Sequence, residues 1–196
     1  MELNIFDVAH GACALLTSAD GKHFMIDCGH NADTNWRPGT FLRSKGISKL
    51  EMLGITNYDE DHVSGLPNLL DNVEVKSLSR NTSVSPETLL KMKEEHGAGF
   101  GIQTLVKMMR RYNTPSNPPP SFSNIQYKRF YNNHPSFTDT NNLSAVFFVT
   151  IDGVNFIFSG DLESAGWENL LKNPNFSAAV KNTHVFVARV IVNCCV

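Results

Sequence analysis

Apolar and polar positions alternate with a period near two in two stretches built to the same plan. Ala14-Leu15-Leu16-Thr17 and His23-Phe24-Met25-Ile26 flank Asp20-Gly21, and the runs 145–151 and 154–158 flank Asp152-Gly153. An Asp-Gly pair between two β-rich runs predicts a hairpin. Each second run then enters a small-residue turn carrying an acid, Asp27-Cys28-Gly29 and Ser159-Gly160-Asp161. With Phe24 and Phe156 in matching places, the stretches read either as two halves of an internal repeat or as unrelated hairpins that share a turn. Helical patterns fall at 38–45, where Pro38 opens and Gly46 closes, at 62–70 and at 102–112. Another helix is opened by Ser85-Pro86-Glu87 and closed by Gly97, and a last one holds Leu170 and Leu171. Further strands are predicted at 51–56, 125–131 and 183–192. Residues 113–124, with Pro115 and Pro118-Pro119-Pro120, form a stiff polar loop. Strand–helix alternation beside hairpins predicts an α/β (α+β) layered fold.

Composition narrows this. The 196 residues, 41% hydrophobic and 18% charged, suit one domain with one sizeable core, 1–196, and exclude low-complexity and charge-driven disorder. Within it, 80–135 reads as a helical and proline-rich insert and 189–196 as an atypical end. Seventeen basic against nineteen acidic residues give a net charge of -2, which excludes binding nucleic acid through bulk charge and leaves a local site open. Cys13, Cys28, Cys194 and Cys195 fit neither a disulfide framework nor a zinc ribbon, and adjacent cysteines favour a reducing compartment. No secretory signal and no apolar run of roughly 18 residues is present. The expectation is a cytoplasmic protein with no membrane contact.

The chemistry concentrates in Ile55-Thr56-Asn57-Tyr58-Asp59-Glu60-Asp61-His62-Val63-Ser64-Gly65-Leu66, where a strand ends and a helix begins. Three acids and a histidine occupy four consecutive positions, and 50–75 holds six acids with no Lys or Arg. Crowded carboxylates repel, and a cation relieves them. Oxygen ligands with one imidazole suit Zn, Mn or Fe without choosing among them. The plainer reading is that Asp59 or Asp61 caps the following helix, which explains one acid and not three with a histidine. Asp161 lies just past an apolar strand, where ligands gather in layered α/β folds, or else caps the helix of Trp167. His10 and His30 sit in glycine turns and read as solvent-facing or lining the site. Asp27 reads as shaping its turn. Lys91, Lys93, Lys107, Arg110, Arg111, Lys128 and Arg129, with Tyr112 and Tyr127, read either as a solvated basic face or as a backbone-contacting strip.

The segment from Thr56 to Leu66 resembles the His-x-His-x-Asp-His signature of the metallo-β-lactamase fold. It is closer to the Thr-His-x-Asp-x-Asp-His form of the ComEC/Rec2-type DNA-uptake proteins. Phe6-Asp7-Val8-Ala9-His10-Gly11-Ala12, Ile26-Asp27-Cys28-Gly29, Asn141-Asn142-Leu143-Ser144 and Phe158-Ser159-Gly160-Asp161 resemble that branch's other motifs, in order. The resemblance implies a four-layer αββα sandwich and a metal-dependent hydrolase acting on phosphodiesters, with nucleic acid or nucleotides as substrate. It implies Asp59, Asp61, His62 and Asp161 as metal ligands for one or two Zn or Mn ions, with Asp61 also catalytic. It places Asn57, Asn142, Ser144 and His10 around the substrate. Asn57 stands where the signature has its first histidine. Past Ala188 the expected histidine turn does not follow, so the sandwich is expected to be incomplete at its C-terminus. His184 reads as packed in the last strand. These departures support the alternative of a binding module, or a truncated enzyme, on the same fold.

Overall fold

The computed structural model describes residues 2–95 and 97–187. Its first half runs β1 (Glu2–Ile5), β2 (Ala14–Thr17), β3 (His23–Ile26), α1 (Pro38–Ser44), β4 (Lys49–Leu50), β5 (Met52–Gly54), α2 (Glu60–Val63), α3 (Leu66–Asn72), β6 (Glu74–Val75) and β7 (Leu78–Ser79). The second runs α4 (Pro86–Met92), α5 (Phe100–Arg111), β8 (Ile125–Tyr131), β9 (Ala145–Ile151), β10 (Val154–Phe158), α6 (Ser164–Leu171), α7 (Pro174–Lys181) and β11 (Val185–Val187). Among the described residues the strands form a five-stranded sheet ordered β1-β2-β3-β5-β7, a four-stranded sheet ordered β11-β10-β9-β8 and a small pair, β4-β6.

Both large sheets repeat one step. β2 and β3 pair antiparallel and β5 joins β3 in parallel; β9 and β10 pair antiparallel and β11 joins β10 in parallel. The two predicted hairpins thus head two topologically similar halves. Their tips differ. Asp152 and Gly153 both have positive φ, 47° and 84°, as a two-residue primed turn demands. The first tip is longer, closed by Ser18 N donating to Lys22 O at 2.9 Å.

Among the described residues the period of two distributes side chains between three cores. Leu15 of β2 and Met25 of β3 pack with Leu42, Leu69 and Leu105 of α1, α3 and α5. Their neighbours Leu16, Phe24 and Ile26 point the other way, against Phe147 and Val149 of β9. Val146 and Ile157 leave the far face of the second sheet to meet Leu170 and Phe176 of α6 and α7. Helix, sheet, sheet and helix layers follow, the expected αββα sandwich. Gly54 keeps the sheets close at one point: a Cβ there would lie 2.8 Å from the Phe147 ring, which packs edge-on against Phe24.

Several elements differ from expectation. The helix at 62–70 is two pieces, α2 and α3, broken at Gly65, whose N–H donates to Cys28 O and where a Cβ would lie 2.6 Å from that oxygen. The stretch 80–135 carries α4, α5 and the proline-rich loop, but ends in β8, which pairs with β9 along its full length. Of the strand expected at 183–192, β11 covers Val185–Val187. The remainder, with Cys194, Cys195 and the end at 189–196, lies outside the described residues. Cys13 and Cys28 are buried thiols. Among the described residues no helix is long and apolar enough to cross a membrane.

Candidate active site

Three strand ends converge. β3 delivers Asp27, β5 delivers the segment from Thr56 to His62, and β10 delivers Asp161. Parallel pairing of β3 with β5 sets the first two side by side, the arrangement that makes carboxyl ends of strands ligand sites.

His62 is the centre, fully buried on α2. Its Nδ1 lies 3.0 Å from Asp27 Oδ2 and 3.3 Å from Thr56 Oγ1. Asp27 is itself fixed: Oδ1 accepts from Thr56 N at 2.7 Å, and Oδ2 accepts from the Thr56 hydroxyl. Asp27 adopts φ 55°, a left-handed geometry that Asp tolerates. Cys28 N donates to His62 O at 2.9 Å, so the turn grips α2 by backbone as well as side chain. A Cβ at Gly29 would lie 2.4 Å from Asp61 O, and one at Gly11 still closer. The glycines of both motifs are there because α2 passes directly over them.

The other ring nitrogen, Nε2, lies 3.2 Å from Asp161 Oδ2. It is buried, and among the described residues it makes no aligned hydrogen bond. The contact is therefore one of proximity more than of direction. Burial presses the imidazole toward its neutral form, but the carboxylates of Asp27 and then Asp161 outweigh that and raise its pKa to about 10. A cavity of about 100 Å³ lies against His62, lined by Gly11, Asp27, Thr56 and Gly160 among others.

A single cation fits this corner in two respects. Ligand atoms about 2.1 Å from a tetrahedral ion lie roughly 3.4 Å apart, close to the Nε2–Asp161 separation. Anchoring of Nδ1 by a carboxylate is how metal-binding histidines are commonly oriented. Yet among the described residues no group of three His, Cys, Asp or Glu side chains is placed to hold a metal ion, so a complete coordination shell is not preformed.

The remaining acids of the signature have other partners. Asp59 pairs with the Lys93 ammonium and accepts from Thr140 Oγ1 at 2.9 Å. It stands at the N-cap of α2 without making a side-chain cap bond. Glu60 caps a different helix, accepting from Gly101 N at 2.7 Å and Ile102 N at 3.0 Å at the start of α5. Part of the crowded negative charge is thus answered by an ammonium and a helix N-terminus. Asp61 is half-buried on α2, immediately before His62.

Asn57 is fully buried and donates to Asn141 Oδ1 and Ser144 Oγ, both at 3.1 Å. Its Oδ1 accepts from Asp59 N at 2.8 Å. Ser144 is buried behind it. Asn142 binds Asp139 through its backbone and amide N–H groups, and its Oδ1 accepts from Gly166 N in α6. His10 is exposed. His30 Nδ1 lies 2.7 Å from Ser64 Oγ. His184 is exposed, not packed, and Asn155 N donates to its Nδ1. Sequence reasoning passed over two partners, Asp27 for His62 and Lys93 for Asp59. Asp27 carried a signal in its place after a strand; Lys93, thirty-odd residues from Asp59 and in another helix turn, carried none.

No protein-family model matches this chain. Comparison with solved structures finds a metallo-β-lactamase of the HARLDQ motif from Cronobacter sakazakii, 12% identical, at a TM-score of 0.51 over 91% of this chain and 71% of that one. A motif mutant of such an enzyme from the same organism gives 0.50 over 91% and 73%. Among curated proteins, ComE operon protein 3 of Bacillus subtilis is 26% identical over 145 residues, 71% of this chain. The chain spans 17% of the length of that relative.

Proposed function

We propose that this chain, which has the metallo-β-lactamase fold, is a hydrolase using one divalent metal, Zn or Mn, to cleave phosphodiesters of nucleic acid or nucleotides. The observation that carries the reading is the buried His62, anchored through Nδ1, with Nε2 3.2 Å from Asp161 and the ring beside a cavity. His62 and Asp161 would hold the ion, with Asp61, the residue before His62 on α2, as the third donor. A divalent cation there supplies Lewis acidity, polarising a phosphoryl oxygen and acidifying water. Asp27 and Thr56 hold the imidazole through Nδ1, which leaves Nε2 on the side of Asp161, where it would meet a cation. Asp61 accepts the proton that leaves the attacking water. Lys93, paired with Asp59, keeps a fixed positive charge beside the site. The resemblance to the DNA-uptake branch, with the likeness to ComE operon protein 3, supports phosphodiesters as the substrate class.

The same ammonium favours a second reading. With Asp59 held by Lys93, and Asn57 tied to Ser144, the first half of the signature has exchanged ligands for hydrogen bonds, as expected of a binding module. Turnover of bis(p-nitrophenyl) phosphate and of a fluorescent oligonucleotide with added Mn²⁺ separates the two. Activity that falls at least 100-fold in both His62→Ala and Asp161→Ala supports the hydrolase. A folded, metal-loaded protein with no turnover on either substrate rejects it in favour of the module.

A further inference from the structure

A second polar site lies along one edge of the sandwich, where β7 ends the first sheet and β8 ends the second. Arg129 of β8 reaches across the gap, donating from Nη1 to Ser79 Oγ of β7 at 3.0 Å, and its guanidinium stacks on Tyr131. Arg80, the next residue after β7, is 8% exposed and donates from Nη1 to the carbonyls of Asn81 and Val84 at 2.8 and 2.7 Å. Both border a cleft of about 300 Å³ whose wall includes Ser77, Ser79, Thr82 and Tyr127, with Pro119 and Pro120 at its rim.

No acid lines this cleft. Among the described residues neither guanidinium has a carboxylate within ion-pair distance, and Arg129 Nε is buried without a hydrogen-bond partner. By contrast, the buried Asp27 carboxylate is answered by His62, and the half-buried Asp59 by Lys93. A buried and a half-buried guanidinium on one cleft, with only neutral oxygens to meet them, are costly unless an anion joins them. The guanidinium fork and the surrounding hydroxyls match the tetrahedral oxygens of a phosphate.

We propose that the cleft between β7 and β8 is a phosphate-binding site in which Arg80 and Arg129 share one phosphate group. It is distinct from the His62 corner and needs no metal. The phosphate comes either as a free or mononucleotide phosphate or as part of a nucleic-acid strand. The Asn81 carbonyl, adjacent to Arg80, accepts a hydrogen bond from the Tyr58 hydroxyl, and Tyr58 lies in the signature segment itself. The cleft is therefore structurally joined to the candidate active site.

The test is binding in excess EDTA at constant ionic strength, which leaves any metal chemistry out of the result. Orthophosphate, adenosine monophosphate and an eight-residue oligothymidylate are titrated into wild type, Arg129→Gln and Lys128→Gln, the last an exposed lysine on the same strand. The expected result is saturable phosphate binding by wild type, weakened at least tenfold in Arg129→Gln and within twofold of wild type in Lys128→Gln. An oligonucleotide that binds at least tenfold more tightly than orthophosphate identifies a strand as the source; equal affinities identify the single phosphate. Absence of saturable binding to all three ligands overturns the site, as does equal weakening by both substitutions, which would mark diffuse attraction. Should Arg129→Gln not fold, wild type still decides: millimolar phosphate must raise the melting temperature above that in chloride, saturably, and no rise overturns the proposal.

Discussion

His62 sits between the carboxylates of Asp27 and Asp161, and in metal-free protein its proton is part of what holds them together. Its pKa is raised from 6.5 to about 10. A group whose folded pKa is raised contributes stability that is fully present below its unfolded pKa and is lost as pH climbs to the folded value. Urea unfolding in EDTA is therefore expected to show stability falling between pH 6.5 and 10, by on the order of a few kcal/mol. His62→Gln should flatten that fall, and an identical slope in the variant would show that the imidazole is already neutral. Cation uptake runs the opposite way, since an ion at Nε2 must displace the same proton: affinity rises with pH. At this scale the sequence was only partly readable. The cluster 59–61 announces concentrated charge, but not that Glu60 serves α5 or that Asp59 serves Lys93. Those assignments depend on which distant element packs there, and local pattern does not carry that.

At the scale of elements, what places His62 is the crossing of α2 over two glycine turns. Gly29 has no room for a Cβ, because Asp61 O and Ala12 O would lie 2.4 and 3.0 Å away, and both are backbone. Gly29→Ala is therefore expected to lift α2, lengthen the Cys28–His62 backbone bond and cost about 1–3 kcal/mol, read as a lower urea midpoint with weakened metal binding. An unchanged midpoint would show that α2 is held elsewhere. The strands and capped helices were legible wherever a local rule governs them. Ser85 caps α4 by accepting from Thr88 N at 3.0 Å, and Asp152-Gly153 makes the expected tight turn. The break between α2 and α3 was not legible: Gly65 looks like a helix residue until Cys28 O is found against it. Pairing of β3 with β5 was equally hidden, since parallel neighbours are set by the crossover and not by the strand's own sequence.

At the scale of the molecule, period-two strands bounded by amphipathic helices lead to a four-layer sandwich with three cores, and the site lies where both halves bring strand ends together. The hairpins made the halves visible in the sequence, because hydrophobic alternation fixes which face is buried. The site was less visible, because it is built from a turn in each half and from partners that those halves bring together only when folded. The centre we propose is one divalent ion held by His62 and Asp161, with Lys93 keeping Asp59 from recruiting a second. Its most direct test is calorimetric titration of Mn²⁺ or Zn²⁺ into chelator-stripped protein, with Asp161→Asn alongside. One ion bound per chain by the wild type, and none by the variant, is the expected result. Two ions per chain, or no uptake by a folded wild type, would contradict it.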